Sequence, residues 1–197
     1  MARWEPNAWE RLERAALALF AERGYDATTV PEIADRAGLT KSTFFRHFAD
    51  KREVVFGRQD MLAELFSDAI RAAGPSATIG DCLAAALESA APGLTPERHD
   101  LAVQRRAIIA ANSELQEREL LKRARLTSAI ADALRAHGAD ETTADLAAAL
   151  GVLAFSTAFA RWAAPENRQP YTEIARTTLR DLQSRAAGLA ADTEVRA

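Results

Sequence analysis

Between Thr40 and Lys51 the chain sets out Lys41, Ser42, Thr43, Arg46, His47 and Lys51, all able to donate hydrogen bonds. On a helix turning about 100° per residue, Phe44 and Phe48 share one side and Arg46 falls almost opposite, flanked by Ser42 and Thr43. Lys41 falls in the first turn. Cationic and short hydroxyl donors on one helix face suit the major groove of DNA, lysine or arginine towards guanine and serine or threonine towards either base type. Catalysis has no comparable cluster: Cys82 has no identifiable histidine partner, and the acidic residues are spread as helix-surface charges. A single cysteine cannot form an internal disulfide, and with His47, His99 and His137 it has no zinc-site spacing. No metal, no cofactor and no enzyme are therefore expected.

Such donors need a short helix held at a fixed angle, and the flanking sequence supplies the means. A first helix is expected over 6–23, with Trp9, Leu12, Ala16, Leu19 and Phe20 facing a core, Glu10, Arg11, Glu13 and Arg14 on the other side, and Gly24 as the stop. Thr29-Val-Pro-Glu32 reads as a capping box that opens a second helix, to about residue 37. Gly38 permits a left-handed turn and Thr40 caps a third helix over 41–48. Two short helices across a tight glycine turn have the dimensions of a helix-turn-helix, with small Ala34 letting them approach and Ile33, Ala37 and Leu39 filling the space between. Asp50 and Glu53 repeat the cap signature and open a long helix, over 51–71, that links this first domain (1–56) to the rest; its exposed N-terminus would add backbone donors for a phosphate.

Beyond Ala73 the breakers Gly74-Pro75, Pro92-Gly93 and Pro96 separate helix-sized blocks at about 79–90, 97–111, 114–137, 140–163 and 171–189. With 45 alanines against 9 glycines and 7 prolines, and no strand signal, the expected class is all-α: an N-terminal three-helix unit, a helical second domain over 57–191, and a fraying tail over 192–197. Residues 1–9 lack the basic start and apolar run of a signal peptide, and no apolar stretch approaches the roughly 18 residues of a membrane span, so a cytoplasmic location without membrane contact is expected. The net charge of −3 argues mildly against nucleic acid, but it conceals a division: residues 36–58 carry six basic and two acidic side chains, a net +4, and the remainder carries −7.

Residues 10–56 resemble the DNA-binding domain of the TetR family of transcriptional regulators, from Ala15-Ala-Leu-Ala-Leu-Phe-Ala-Glu-Arg-Gly-Tyr-Asp-Ala-Thr-Thr-Val30 through Thr43-Phe-Phe-Arg-His-Phe48 to Asp50-Lys-Arg-Glu-Val-Val55. The resemblance implies base-edge contact from Lys41 and Ser42 and phosphate contact from Thr43, His47 and Lys51, with Arg46 able to do either. Thr29 is a cap that can also bond a phosphate, and His47 has a second reading, a helix-end histidine bonding a carbonyl. Phe45 stands where the family most often has a phosphate-binding tyrosine, which leaves only stacking on the sugar-phosphate surface. Pro31 replaces a position that is often polar or basic and contributes placement only.

The family's second domain binds a small-molecule effector and dimerises, which implies a homodimeric repressor on a palindromic operator of double-stranded DNA, released by a largely apolar effector. Alternatives are an activator of the same family, or a helical interaction module with weakened DNA binding. The 140–163 helix is apolar nearly all round, with Leu146, Leu150, Leu153 and Thr157 on one face, Val152, Phe155, Phe159 and Trp162 on another, and small Ala147, Ala148, Ala149, Gly151 and Ala154 allowing close approach. It suits packing on its own domain and on a second subunit, and the 171–189 helix, with Ile174, Leu182 and Leu189 in register, is its expected partner. Gln104, Arg105, Arg106, Asn112, Phe155, Phe159 and Trp162 are candidates for lining the effector pocket. Arg3-Trp-Glu-Pro6 and the 43–48 run resemble a branch with acyl-CoA-like effectors, including regulators of mycofactocin systems.

Overall fold

The computed structural model describes residues 7–57 and 59–194, and among these it is all-helical. Ten α-helices follow in order: α1 Ala8–Arg23, α2 Val30–Arg36, α3 Lys41–His47, α4 Lys51–Phe56, α5 Gln59–Ala72, α6 Ile79–Ser89, α7 Pro96–Ala110, α8 Ser113–Ala136, α9 Glu141–Trp162 and α10 Tyr171–Glu194. Residues 1–6, which carry the Arg3–Pro6 resemblance, lie outside the described part.

The long linking helix over 51–71 is instead two helices. Gly57, at φ +46° and ψ −117°, ends α4. A Cβ on Gly57 would stand 2.9 Å from Cζ2 of Trp9, so both the turn and the neighbouring indole require glycine. The tail also departs from expectation, since α10 runs on through Glu194; residues 195–197 are not described.

The chain divides into two compact units, and the division is not the contiguous cut at 56/57. The first unit comprises residues 1–60 and 100–120, the second 61–99 and 121–197. Much of α7 and the start of α8 therefore belong with the first three helices. Ile108, Ile109 and Leu115 share a core with Leu12, Ala16, Leu19 and Phe20 of α1, Ile33 of α2, Phe44 and Phe48 at α3, and Val54, Val55 and Phe56 of α4. Glu13, expected on the polar side of α1, is fully buried there, and the Arg105 guanidinium donates to its Oε1. Arg118 Nε donates to Glu53 at 3.1 Å and Arg52 Nη1 to Glu114 at 3.1 Å, so α4 and α8 are tied by two further pairs.

In the second unit α9 packs chiefly on α10, and α6 touches both. Ala144, Ala147, Ala148, Gly151, Ala154, Ala158 and Trp162 are buried along α9, and a Cβ on Gly151 would stand 2.9 Å from Leu83 Cδ2 of α6, which measures the close approach. Cys82 is buried in α6, and burial pushes its thiol up, the reverse of what a nucleophile needs. The expectation that no apolar stretch approaches a membrane span is corrected by α9, whose 22 residues contain an 18-residue stretch with a mean hydropathy of 1.5. By length and composition it qualifies; in this fold its small-residue face is covered by its own unit.

Removing one partner of a buried ion pair leaves the other charge without compensation. Glu13→Ala is expected to lower the unfolding free energy by about 3–5 kcal/mol in urea denaturation, and Glu13→Gln, which keeps an acceptor, by less.

Candidate nucleic-acid interface

Local spacing builds this site. The Thr29 hydroxyl accepts from the Glu32 N–H, and Glu32 Oε2 takes the Thr29 N–H at 2.8 Å, closing the capping box at the start of α2. The Thr29 hydroxyl and N–H hold the Glu32 carboxyl below its usual range. At the other end Gly38, φ +64°, turns the chain, and Arg11 of α1 donates to the Ala37 carbonyl at 2.6 Å. Thr40 then caps α3 by accepting the Thr43 N–H at 3.1 Å.

Phe44 and Phe48 turn into the core and leave Lys41, Ser42, Phe45, Arg46 and His47 exposed, with Thr43 half-buried. The Thr43 hydroxyl lies 3.0 Å from that of Thr40, so it is shared with the cap. Phe45 is 49% exposed, edge-on to Phe44 at 5.4 Å, with the Lys41 ammonium 5.9 Å from its ring centroid. The outward face is thus a flat apolar ring between Lys41 and Arg46 rather than a purely polar surface. His47 lies 6.5 Å from the Phe48 ring. Thr29 is exposed at the start of α2, alongside exposed Pro31.

Lys51 sits differently from the phosphate contact that the resemblance implies. Its ammonium donates to the carbonyls of Tyr25 (2.7 Å) and Thr28 (2.9 Å) and stands 4.1 Å from the Tyr25 ring centroid. Two of its three N–H donors serve the loop between α1 and α2. The start of α4 is also occupied, because Asp50 Oδ1 accepts the N–H groups of Arg52 and Glu53. Partial burial pushes the Asp50 carboxyl up, yet the Arg52 guanidinium and those N–H groups outweigh it and leave the carboxyl below its ordinary value. A carboxylate there takes the place of an incoming phosphate, and Glu53 pairs with Arg118 instead of completing a second capping box.

Three of the six local cations, Arg36, Lys51 and Arg52, are therefore engaged. Arg36 pairs with Glu22 at 2.8 Å and Arg52 with Asp50 at 2.6 Å and Glu114 at 3.1 Å. Lys41 and Arg46 are the exposed cations of α3 itself, and Arg58 lies outside the described residues.

The proposed pocket residues do not form one set. Gln104, Arg105 and Asn112 belong to the first unit, and Phe155, Phe159 and Trp162 to the second. Arg105 holds Glu13, Asn112 Oδ1 takes the Leu115 N–H at 3.1 Å as the cap of α8, and Gln104 and Arg106 are exposed. Each polar candidate had a partner, or a solvent face, that only the folded chain displays. The aromatic three do cluster: Phe155 and Phe159 lie near-parallel at 6.1 Å and Phe159 meets Trp162 at 6.0 Å. Two residues absent from the sequence-derived set join them, Phe66 at 5.4 Å and Tyr171 at 6.3 Å from Phe155.

Residues 13–56 match the family described as bacterial regulatory proteins, tetR family. Over 46 residues the chain is 56% identical to the transcriptional repressor KstR2 of Mycobacterium tuberculosis, a match spanning 23% of this chain and 22% of that protein. Over 40 residues it is 48% identical to the transcriptional activator FasR of Mycolicibacterium smegmatis, spanning 20% and 18%. The chain thus matches only about a fifth of the length of these curated relatives. Over most of its length it is similar to the solved structure of Thermus thermophilus FadR, a TetR-family repressor in complex with lauroyl-CoA, with 25% identity, TM-score 0.54, and coverage of 89% of this chain and 93% of that one.

Lys51→Met removes two hydrogen bonds from a charged donor and is expected to cost about 1.5–3 kcal/mol in urea denaturation. Lys41→Ala and Arg46→Ala, on the open face, are expected to stay within about 0.5 kcal/mol of the parent.

Proposed function

We propose that the chain, whose residues 13–56 match the tetR family of bacterial regulatory proteins, is a TetR-family regulator that represses transcription in the cytoplasm as a homodimer on a palindromic operator, which it leaves when a largely apolar, acyl-CoA-like effector binds. The observation that carries the DNA-binding part is the outward face of α3, where Lys41, Ser42, Phe45 and Arg46 stand exposed while Phe44 and Phe48 anchor the helix. Lys41 and Ser42 read base edges in the first turn, Arg46 contacts base or phosphate, and Phe45 stacks against sugar or a thymine methyl group. Thr29, Thr43 and His47 flank this face and bond phosphates; Lys51 acts mainly through the loop it ties down. The short curated matches include both a repressor and an activator, so the sign of regulation is argued from the solved repressor that covers most of the chain.

Dimerisation is assigned to α9 and α10. Leu146 is 70% exposed, Leu153 52% and Leu189 74%, with Leu150 half-buried between the first two. A leucine stripe on the face of α9 opposite its buried alanines suits a symmetric helix-on-helix contact with a second copy. Two-fold symmetry then sets one α3 in each half-site. The effector is assigned to the second unit, where Phe66, Phe155, Phe159 and Trp162 supply apolar walls. Because α7 and α8 contribute residues to both units, a change in one has a covalent route to the other. Release requires an effector that prefers a conformer with the α3 helices off register.

A mobility-shift titration on the DNA next to the protein's own gene, across salt concentrations, tests the reading. A specific complex that lauroyl-CoA dissociates is expected. Lys41→Ala should weaken it by about 1–3 kcal/mol and relax base preference, and Arg46→Ala should lower the salt slope by about 1 if Arg46 touches phosphate. Absence of any sequence-specific complex sinks the proposal. Sedimentation of a Leu146→Asp, Leu153→Asp double variant is expected to give a monomer whose affinity for the palindrome falls by about 100-fold or more, the avidity of two linked half-sites; a dimer that persists assigns the interface elsewhere.

A further inference from the structure

The Tyr171 hydroxyl is buried in the second unit and has no hydrogen-bond partner among the described residues. The side chain opens α10, is 2% exposed, and lies edge-on to Phe155 with the ring planes at 69°. Phe155 meets Phe66 of α5 edge-on at 5.4 Å and Phe159 near-parallel at 6.1 Å. The phenol thus joins an aromatic cluster through Phe155. Phe66 is closed off at 1% exposure, whereas Phe155 and Phe159 are half-buried and keep part of their surface accessible. Burial pushes the phenol well above its ordinary pKa, so the group stays a neutral O–H donor.

A buried hydroxyl without a partner carries a desolvation penalty that nothing in the fold offsets. Aromatic packing does not require it, because phenylalanine fills three neighbouring positions in the same cluster. A donor held in an apolar wall beside accessible aromatic surface is how a site for a mainly apolar ligand sets orientation, with area supplying affinity and one polar group selecting the ligand end. We propose that Tyr171 is the polar anchor of the effector site, donating a hydrogen bond to the carbonyl oxygen of a ligand whose apolar chain lies along Phe155 and Phe159. The inference rests on the effector reading above and narrows it: the site selects an acyl compound over a chain of equal length that lacks the carbonyl.

The test compares binding of lauroyl-CoA with that of S-dodecyl-CoA, the thioether without the carbonyl, by calorimetry on the 197-residue protein. The parent is expected to prefer lauroyl-CoA by about tenfold or more. Tyr171→Phe is expected to lose that preference while its unliganded melting temperature stays level or rises, because an unanswered hydroxyl has been removed. A variant that keeps the parent's preference overturns the anchor role, and so does an unliganded variant that melts several degrees lower, since the hydroxyl would then serve the fold. A parent that binds neither compound overturns the acyl-CoA reading itself, and the anchor role with it, an outcome visible before any variant is made.

Discussion

A helix of seven residues does not persist in water by its own hydrogen bonds, since nucleation costs more than so few bonds return. α3 is such a helix, and the first unit is organised around holding it. Phe44 and Phe48 fix one side in the core formed by α1, α2 and α4; the Thr40 hydroxyl satisfies its first turn; Gly38 and the Arg11 bond to the Ala37 carbonyl set the angle at which it leaves α2. The chemistry of the exposed face has no geometry until those contacts exist. Lys51 belongs to the same scaffold, since it ties the loop that precedes α2.

Electrostatics follow from that economy. The unit carries many cations, but Arg36, Arg52, Arg105 and Arg118 are matched by carboxylates within it, which hold helices together. The exposed cations of α3 are Lys41 and Arg46, and a net charge of −3 leaves little positive field beyond such positions. The apolar ring of Phe45, braced by Phe44 and overhung by Lys41, is consistent with that balance.

Features set by near neighbours were readable in the chain itself. Thr29 with Glu32, Gly38 and Thr40 act over three or four residues, and spacing alone locates them. The amphipathic rule placed Leu12, Phe20, Phe44 and Phe48 in the core. Partners far along the chain were not readable. Glu13 looked like an ordinary surface carboxylate because Arg105 comes 92 residues later, and Lys51 looked like a free cation because its carbonyl acceptors follow only from the folded loop. The single-helix reading of 51–71 failed at Gly57, where the Trp9 ring leaves no room for a Cβ and no periodicity reports it. Tyr171 is not legible in the chain for the opposite reason: what distinguishes it is a hydrogen bond that its buried hydroxyl lacks among the described residues.

The first unit is discontinuous, closing only with residues 100–120. During synthesis the first sixty residues leave the ribosome with one wall of their core missing, since Ile108, Ile109 and Leu115 are still to come and Glu13 has no guanidinium to meet. The nascent first unit must wait, with apolar surface uncovered, while some forty residues of another unit are made. The same order limits dissection: a fragment ending near residue 60 inherits α3 without the elements that finish its support, so a piece that keeps the whole first unit extends past the middle of the chain.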